Sequence, residues 1–309
     1  MSIAATFELA AFAFGLLCGS FLNVCIARLP LHESVVKPRS HCPRCGHTIR
    51  WYDNIPLLSF VLLLAKCRDC GARIPWRYPL VEIGVGVWFI VPARLLLYEF
   101  LARSQFGQPT STFLWQAIAF AILGFLLIGL LVMDWQTHTL PDAFTLTGTA
   151  IGFLLVCTQA IFLAPGEEDI KLNPAHSLRM SSPGSFVAKG NVFLTGPEHL
   201  VFGRIAAIVA AAMLPFLIRA IYKALRGREG LGLGDVKLMA MIAAFLGFAP
   251  ALLSFCLGCI FVLPYALYLL ATKKADRATQ LPFGSFLCAG GLVAALVGEP
   301  LIAWYRGLL

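Results

Sequence analysis

The chain has 309 residues, 59% of them hydrophobic and only 13% charged, with a mean hydropathy of +0.81. A water-facing surface needs far more charge than that, which excludes an ordinary soluble domain. The net charge of +8 reads as loop charge in contact with anionic lipid headgroups, and not as a nucleic-acid-binding surface, because no basic stretch is interleaved with stacking aromatics in a soluble module.

Apolar runs near or above the roughly 18 residues needed to cross a bilayer predict an all-α polytopic membrane protein. The expected transmembrane helices are eight: residues 5–27, 79–98, 113–133, 142–164, 199–219, 236–249, 251–271 and 283–304. The first is too long for a signal-peptide core and lacks a basic flank before it, so residues 1–27 are expected to stay as an anchoring span.

Residues 28–78 follow as a compact polar insert rich in Cys, Pro and Arg. It carries Cys42-Pro-Arg-Cys45 and Cys67-Arg-Asp-Cys70, each pair followed directly by glycine. Two such knuckles bring four thiolates within reach of one tetrahedral zinc, and the glycine permits the tight turn around the metal. The rivals are two disulfides, disfavoured in a reducing compartment, and a redox pair, which lacks a surrounding βαβ pattern. A metal with four thiolates has no open position, so its expected role is structural. His41 and His47 flank a knuckle and are read as bystanders. Cys18, Cys25, Cys157, Cys256, Cys259 and Cys288 lie in the spans and are read as packing residues.

Residues 79–309 form the expected seven-span bundle. Aspartate is expensive at membrane depth, so its positions are informative. Asp134 ends the third span in Val132-Met133-Asp134-Trp135. At a helix C-terminus the dipole disfavours an anion, so this carboxylate needs a partner. Asp142, behind Pro141, suits the positive end of the fourth span and reads first as a helix-start residue. Residues 165–198 are expected to be a flexible insertion loop on the non-cytoplasmic side. Asp235 follows Gly232-Leu233-Gly234 at the start of the sixth span and could be either an N-cap or a functional acid. Glycines there keep the backbone slim, so that a helix or extended chain can approach closely. The sixth span is short, and Gly247 and Pro250 suggest a tilted or partly interfacial helix. Lys237 either tunes the acids nearby or snorkels to the headgroups. No internal repeat is evident.

Basic residues set the orientation. Nine Lys and Arg against three acids lie between Arg28 and Arg77, four lie from Arg219 to Arg228, and Lys273, Lys274 and Arg277 cluster in the last interior loop. With eight spans these loops share the cytoplasmic side, and Asp134, Asp142 and Asp235 all fall at that boundary. Two carboxylates brought together at a hydrophobic boundary share a proton. Such a pair can activate water as a base and protonate a leaving amine as an acid.

At these residues the sequence resembles the type 4 prepilin leader peptidases, a group of GxGD aspartyl membrane proteases. The resemblance covers nearly the whole chain outside 165–198. It includes Gly19-Ser20-Phe21-Leu22-Asn23-Val24 with Arg28-Leu29-Pro30, both CxxC pairs, Asn54-Ile55-Pro56 and Tyr78-Pro79-Leu80-Val81-Glu82. Its core is the run from Asp134 to Pro141-Asp142 and the run from Gly232 to Lys237. It implies a bifunctional enzyme of the bacterial inner membrane, with its active site at the cytoplasmic face. Such an enzyme removes the basic leader from type IV prepilins or type II secretion pseudopilins, then N-methylates the new terminus using S-adenosylmethionine. Carried over by motif, the catalytic pair is Asp134 and Asp235, with Gly232, Gly234, Lys237 and Asp142 in support. No Gly-rich nucleotide fingerprint places the methyl donor. Glu82 stands as a candidate participant, or as a buried acid satisfied by neighbouring helices. Presenilin-like GxGD proteases pair the motif with Tyr-Asp, whereas Met133 precedes Asp134 here. A transporter or assembly factor that relays protons is the non-enzymatic alternative.

Overall fold

A computed structural model describes residues 3–104, 111–162, 170–173, 176–180, 198–227, 230–272 and 281–307. The elements in chain order are α1 (Ile3–Arg28), α2 (Leu58–Leu62), α3 (Arg77–Ser104), α4 (Ser111–Thr137), α5 (Asp142–Phe162), β1 (Ile170–Asn173), β2 (His176–Met180), α6 (Glu198–Arg226), α7 (Leu233–Leu246), α8 (Phe248–Ala271) and α9 (Phe283–Arg306). Among the described residues, five helical segments are long and apolar enough to cross a membrane: Ala4–Leu31, Arg77–Leu97, Leu114–Thr137, Leu200–Arg226 and Phe248–Ala271. Asp142–Thr158 and Phe283–Gly298 are shorter apolar segments. The chain is a multi-pass membrane protein, and each predicted span corresponds to one of the long helices or to α7.

The helices are ordered by close contacts at small residues. Gly15 and Gly19, one turn apart on α1, lie against α3: a Cβ on Gly15 would sit 2.8 Å from the Gly86 Cα, and one on Gly19 2.7 Å from the Glu82 Cα. Without a hydrophobic drive between helices in lipid, this backbone-to-backbone fit is what holds such a pair. The centre of the bundle is built from Leu123, Leu127, Leu130 and Met133 of α4, Leu238, Met239, Met241 and Ile242 of α7, and Leu287 of α9, all fully buried.

α7 is the short sixth span that Gly247 and Pro250 mark as tilted or partly interfacial. Its 14 residues span about 21 Å, too short for a hydrocarbon core of about 30 Å. It is nevertheless the most enclosed helix, packed by α5, α6, α8, α9 and α4. A helix wrapped in protein can end at membrane depth if its last carbonyls find donors. Arg204 of α6 supplies them, donating from Nη1 to the Ala243 carbonyl at 3.2 Å and to the Phe245 carbonyl at 3.3 Å. Gly247, at φ 88°, then turns the chain directly into α8.

Two expectations need correction. Part of the 165–198 segment forms an antiparallel ribbon, with Ile170 opposite Met180 and Lys171 opposite Arg179, so the chain is not purely helical. The Pro, Gly and Ser content of that stretch masked the strand pattern. Cys256 and Cys259 are exposed on α8 and pack against nothing in the core, whereas Cys25 and Cys288 are buried. Their spacing of three residues put them on one face, and that face is turned outward.

The insert between α1 and α3 does contain a local repeat. In the first knuckle the Cys42 N–H donates to the His47 carbonyl, and the Gly46 N–H to the Cys42 carbonyl, both at 2.9 Å. The second knuckle repeats this turn with Cys67 to Ala72 at 2.8 Å and Gly71 to Cys67 at 2.9 Å. Gly46 and Gly71 take φ of 71° and 68°, which a side chain rarely adopts. Arg28 anchors the insert's entry, donating to the carbonyls of Ser34 at 2.9 Å and Pro38 at 2.8 Å.

Candidate active site and metal centre

Asp134 lies in the last turn of α4, where its own helix offers no free N–H. The partner it needs comes from α9. The Ser285 N–H donates to Asp134 Oδ2 at 2.6 Å, and the Ser285 hydroxyl lies 3.0 Å from the same oxygen. Ser285 is in the first turn of α9, whose orphan N–H groups and positive dipole end favour an anion. The C-terminus of one helix thus delivers a carboxylate to the N-terminus of another.

Asp235 sits in the first turn of α7 and accepts the Gly232 N–H at 3.1 Å, forming half of a capping box. Asp134 is 6% exposed and Asp235 7% exposed, and the two carboxylates are close enough to feel one another's charge. Leu140, in the turn between α4 and α5, wedges beside them. A Cβ on Gly234 would lie 3.0 Å from the Leu140 Cβ. One on Gly284 would lie 2.9 Å from the Leu140 Cδ1 and 3.1 Å from the Asp134 Cγ. At both glycines a methyl would press on the Leu140 side chain, and at Gly284 on Asp134 as well. Gly232 has an ordinary extended backbone (φ −74°, ψ 153°) and open space around it, so crowding within the chain does not require a glycine there.

Asp142 is not drawn into this pair. It opens α5, and its Oδ1 takes the Lys237 ammonium at 2.6 Å in an exposed ion pair. That contact gives Lys237 a definite partner in place of the headgroups. Sequence reasoning missed Ser285, Gly284 and Leu140. The available signal was Pro282-Phe283-Gly284-Ser285, a proline followed by small residues at a helix start.

The four-cysteine cluster is preformed. The sulfurs of Cys42, Cys45, Cys67 and Cys70 all lie within 4.8 Å of one another, with Cys42 and Cys70 Sγ 3.8 Å apart. Tetrahedral zinc with Zn–S bonds of about 2.3 Å has sulfurs about 3.8 Å apart, so the set fits. Backbone N–H groups of Cys45 and Arg44 lower the Cys42 thiol from 9.0 to about 6, favouring the thiolate a metal needs. His41 instead turns its Nδ1 toward the Arg39 carbonyl at 3.3 Å.

Between the knuckles and the bundle lies a cavity of about 1000 Å³. Glu82 lines it, 8% exposed, with Oε2 accepting the Leu57 N–H at 2.9 Å. Gln136, two residues past Asp134 on α4, also lines it and accepts from Arg77 Nη1 at 2.7 Å.

The fold and this site define a class: a polytopic helical membrane protein with a carboxylate pair seated at buried helix termini and a four-cysteine insert at the same end. Residues 13–95 match the Bacterial Peptidase A24 N-terminal domain, and residues 120–267 match the Type IV leader peptidase family. The chain is 30% identical to a prepilin leader peptidase/N-methyltransferase of Stutzerimonas stutzeri, over 97% of its own length and 93% of the relative's. A relative of the same name from Burkholderia pseudomallei is 31% identical, over 94% and 85% of the two chains. One from Pseudomonas aeruginosa is 29% identical, over 97% and 93%. No solved structure matches the chain. The chain belongs to the type IV prepilin leader peptidase family.

Proposed function

We propose that this protein is a prepilin leader peptidase/N-methyltransferase. It cuts the basic leader from type IV prepilins or type II secretion pseudopilins and methylates the amine so exposed. The observation that carries the peptidase half is the seating of Asp134 and Asp235, two buried carboxylates within reach of each other's charge, each held by a helix N-terminus.

Two such acids share one proton. The ionised member takes a proton from water as its oxygen attacks the scissile carbonyl. The protonated member then protonates the amine as the C–N bond breaks. The Ser285 and Gly232 donors fix the two carboxylates, and the low-dielectric surroundings strengthen each charge interaction. The substrate's apolar helix lies along the bundle in the membrane, and its basic leader stays among the polar loops. Positive-inside bias supports a reading in which this end lies at the cytoplasmic face of the inner membrane and eight spans cross it. Lys237 and Asp142 support the site by tying α7 to α5.

Cys42, Cys45, Cys67 and Cys70 hold a structural zinc, which fixes the two knuckles against each other. Bound S-adenosylmethionine supplies an electrophilic methyl group on sulfur for the second activity.

The test is the intact mass of a type IV prepilin co-expressed with the wild type, with Asp134→Asn or with Asp235→Asn. The wild type should yield a pilin lacking its leader and carrying one added methyl, and each variant should leave full-length prepilin. Leader removal that persists in both variants returns the two acids to structure or proton relay.

A further inference from the structure

We infer that the cavity between the insert and the bundle binds S-adenosylmethionine with its sulfonium against the Glu82 carboxylate. The inference rests on the methyl-transfer half of the proposed function and supplies the site for it. A volume of about 1000 Å³ accommodates a nucleoside-sized ligand.

Charge gives the orientation. Glu82 is held by neutral donors, the Leu57 N–H and the Ser20 hydroxyl. Among the described residues no Lys or Arg forms an ion pair with it. A buried carboxylate without a cation is costly, and a ligand cation offsets that cost. Arg44, Arg50 and Arg73 line the cavity from the insert, beside Asp69 and the Arg68–Asp53 ion pair. The three arginines suit the carboxylate of the donor's methionyl moiety. The ligand's own charges therefore run from the arginine wall to Glu82.

Geometry gives the same orientation. The acceptor amine is freed at Asp134, so the methyl must face that end of the cavity. Glu82, Arg77 and Gln136 all line the cavity, and Gln136 lies on the helix that carries Asp134. The Arg77 Nε is buried there without a hydrogen-bond partner, a donor left for a ligand atom. In the transfer, the amine lone pair attacks the methyl carbon and the C–S bond breaks with its electrons going to sulfur. The product is the uncharged thioether S-adenosylhomocysteine, and the amine proton leaves to water. Because the sulfonium charge disappears, Glu82 acts on donor binding and on discrimination between donor and product.

The experiment measures equilibrium binding of S-adenosylmethionine and S-adenosylhomocysteine to the purified, zinc-loaded full chain. The wild type should prefer the charged ligand. Glu82→Gln should weaken S-adenosylmethionine about tenfold or more, with S-adenosylhomocysteine affinity and zinc content retained. Ile74→Trp, which fills the cavity from the insert, should weaken both ligands while keeping its zinc. Glu82→Gln affinities equal to wild type, or weakened equally for both ligands, overturn the sulfonium contact. Wild-type-like binding by zinc-replete Ile74→Trp overturns the cavity, and this arm stands even if Glu82→Gln fails to fold. Wild-type protein that removes a prepilin leader but binds neither ligand overturns this site and leaves the peptidase reading standing. Protein that does neither removes the functional reading, and the inference with it.

Discussion

Ser285 and Asp134 are 151 residues apart in sequence, yet the Ser285 N–H donates to Asp134 Oδ2 at 2.6 Å. The Ser285 hydroxyl has one proton and two acceptors in reach, Asp134 Oδ2 at 3.0 Å and the Leu131 carbonyl at 2.9 Å. Ser285→Ala removes the hydroxyl and keeps the N–H. A hydrogen bond to a charged group contributes about 1.5–3 kcal/mol, so turnover in a prepilin cleavage assay should fall about tenfold to a hundredfold. KM should change little, because Ser285 orients Asp134 and does not face the substrate's distant contacts. Unchanged turnover would assign the whole task to the backbone donor.

Gly284 should not tolerate even a methyl group. Its added Cβ would press on Leu140 at 2.9 Å and on Asp134 at 3.1 Å, displacing the carboxylate. Gly284→Ala is expected to lose at least about tenfold in cleavage, since misplacement by a fraction of an ångström is enough to cost rate. Gly203→Ala makes the control, because nothing lies within 4 Å of the added carbon there. Equal activity in the two variants would show that the packing around Leu140 is soft.

The Lys237–Asp142 pair has side chains 36% and 58% exposed. Exposed pairs contribute about 0–1 kcal/mol. A double-mutant cycle with Lys237→Ala and Asp142→Ala should therefore give a coupling energy below about 1 kcal/mol, with cleavage reduced only severalfold. A loss from Lys237→Ala as deep as that of the Asp235→Asn variant would mean that Lys237 tunes the catalytic pair directly.

Zinc retention should depend on pH in a definite sense. The folded Cys42 thiol is lowered from 9.0 to about 6, chiefly by the Cys45 and Arg44 N–H groups. A value depressed in the folded state gives a contribution fully present above the unfolded value and lost as pH falls through the folded one. Metal content measured by atomic absorption should hold at one zinc per chain near neutrality and drop in acid, where protons displace the metal from the four thiolates. Metal content that does not change on acidification would point to a different ligand set.

The long apolar helices and the four cysteines could be read from sequence because each signal is local. A run of apolar residues meets the membrane's requirement by itself, and a CxxC turn places its two sulfurs whatever surrounds it. The isolation of Asp134 at a helix C-terminus was likewise legible, since a helix dipole is set by chain direction. Only tertiary packing could reveal what answers it. The N-terminus of α9, the Leu140 wedge and the charge of Asp235 come from segments far apart in the chain, and no periodicity encodes their meeting. The same holds for α7: its shortness was legible in the sequence, but its enclosure by five neighbours and the Arg204 cap at its end come from packing. Glu82 could be seen as an acid in a span, but its place in the lining of a cavity is decided by how the insert folds back over α3, because a void is a property of surfaces that close around it.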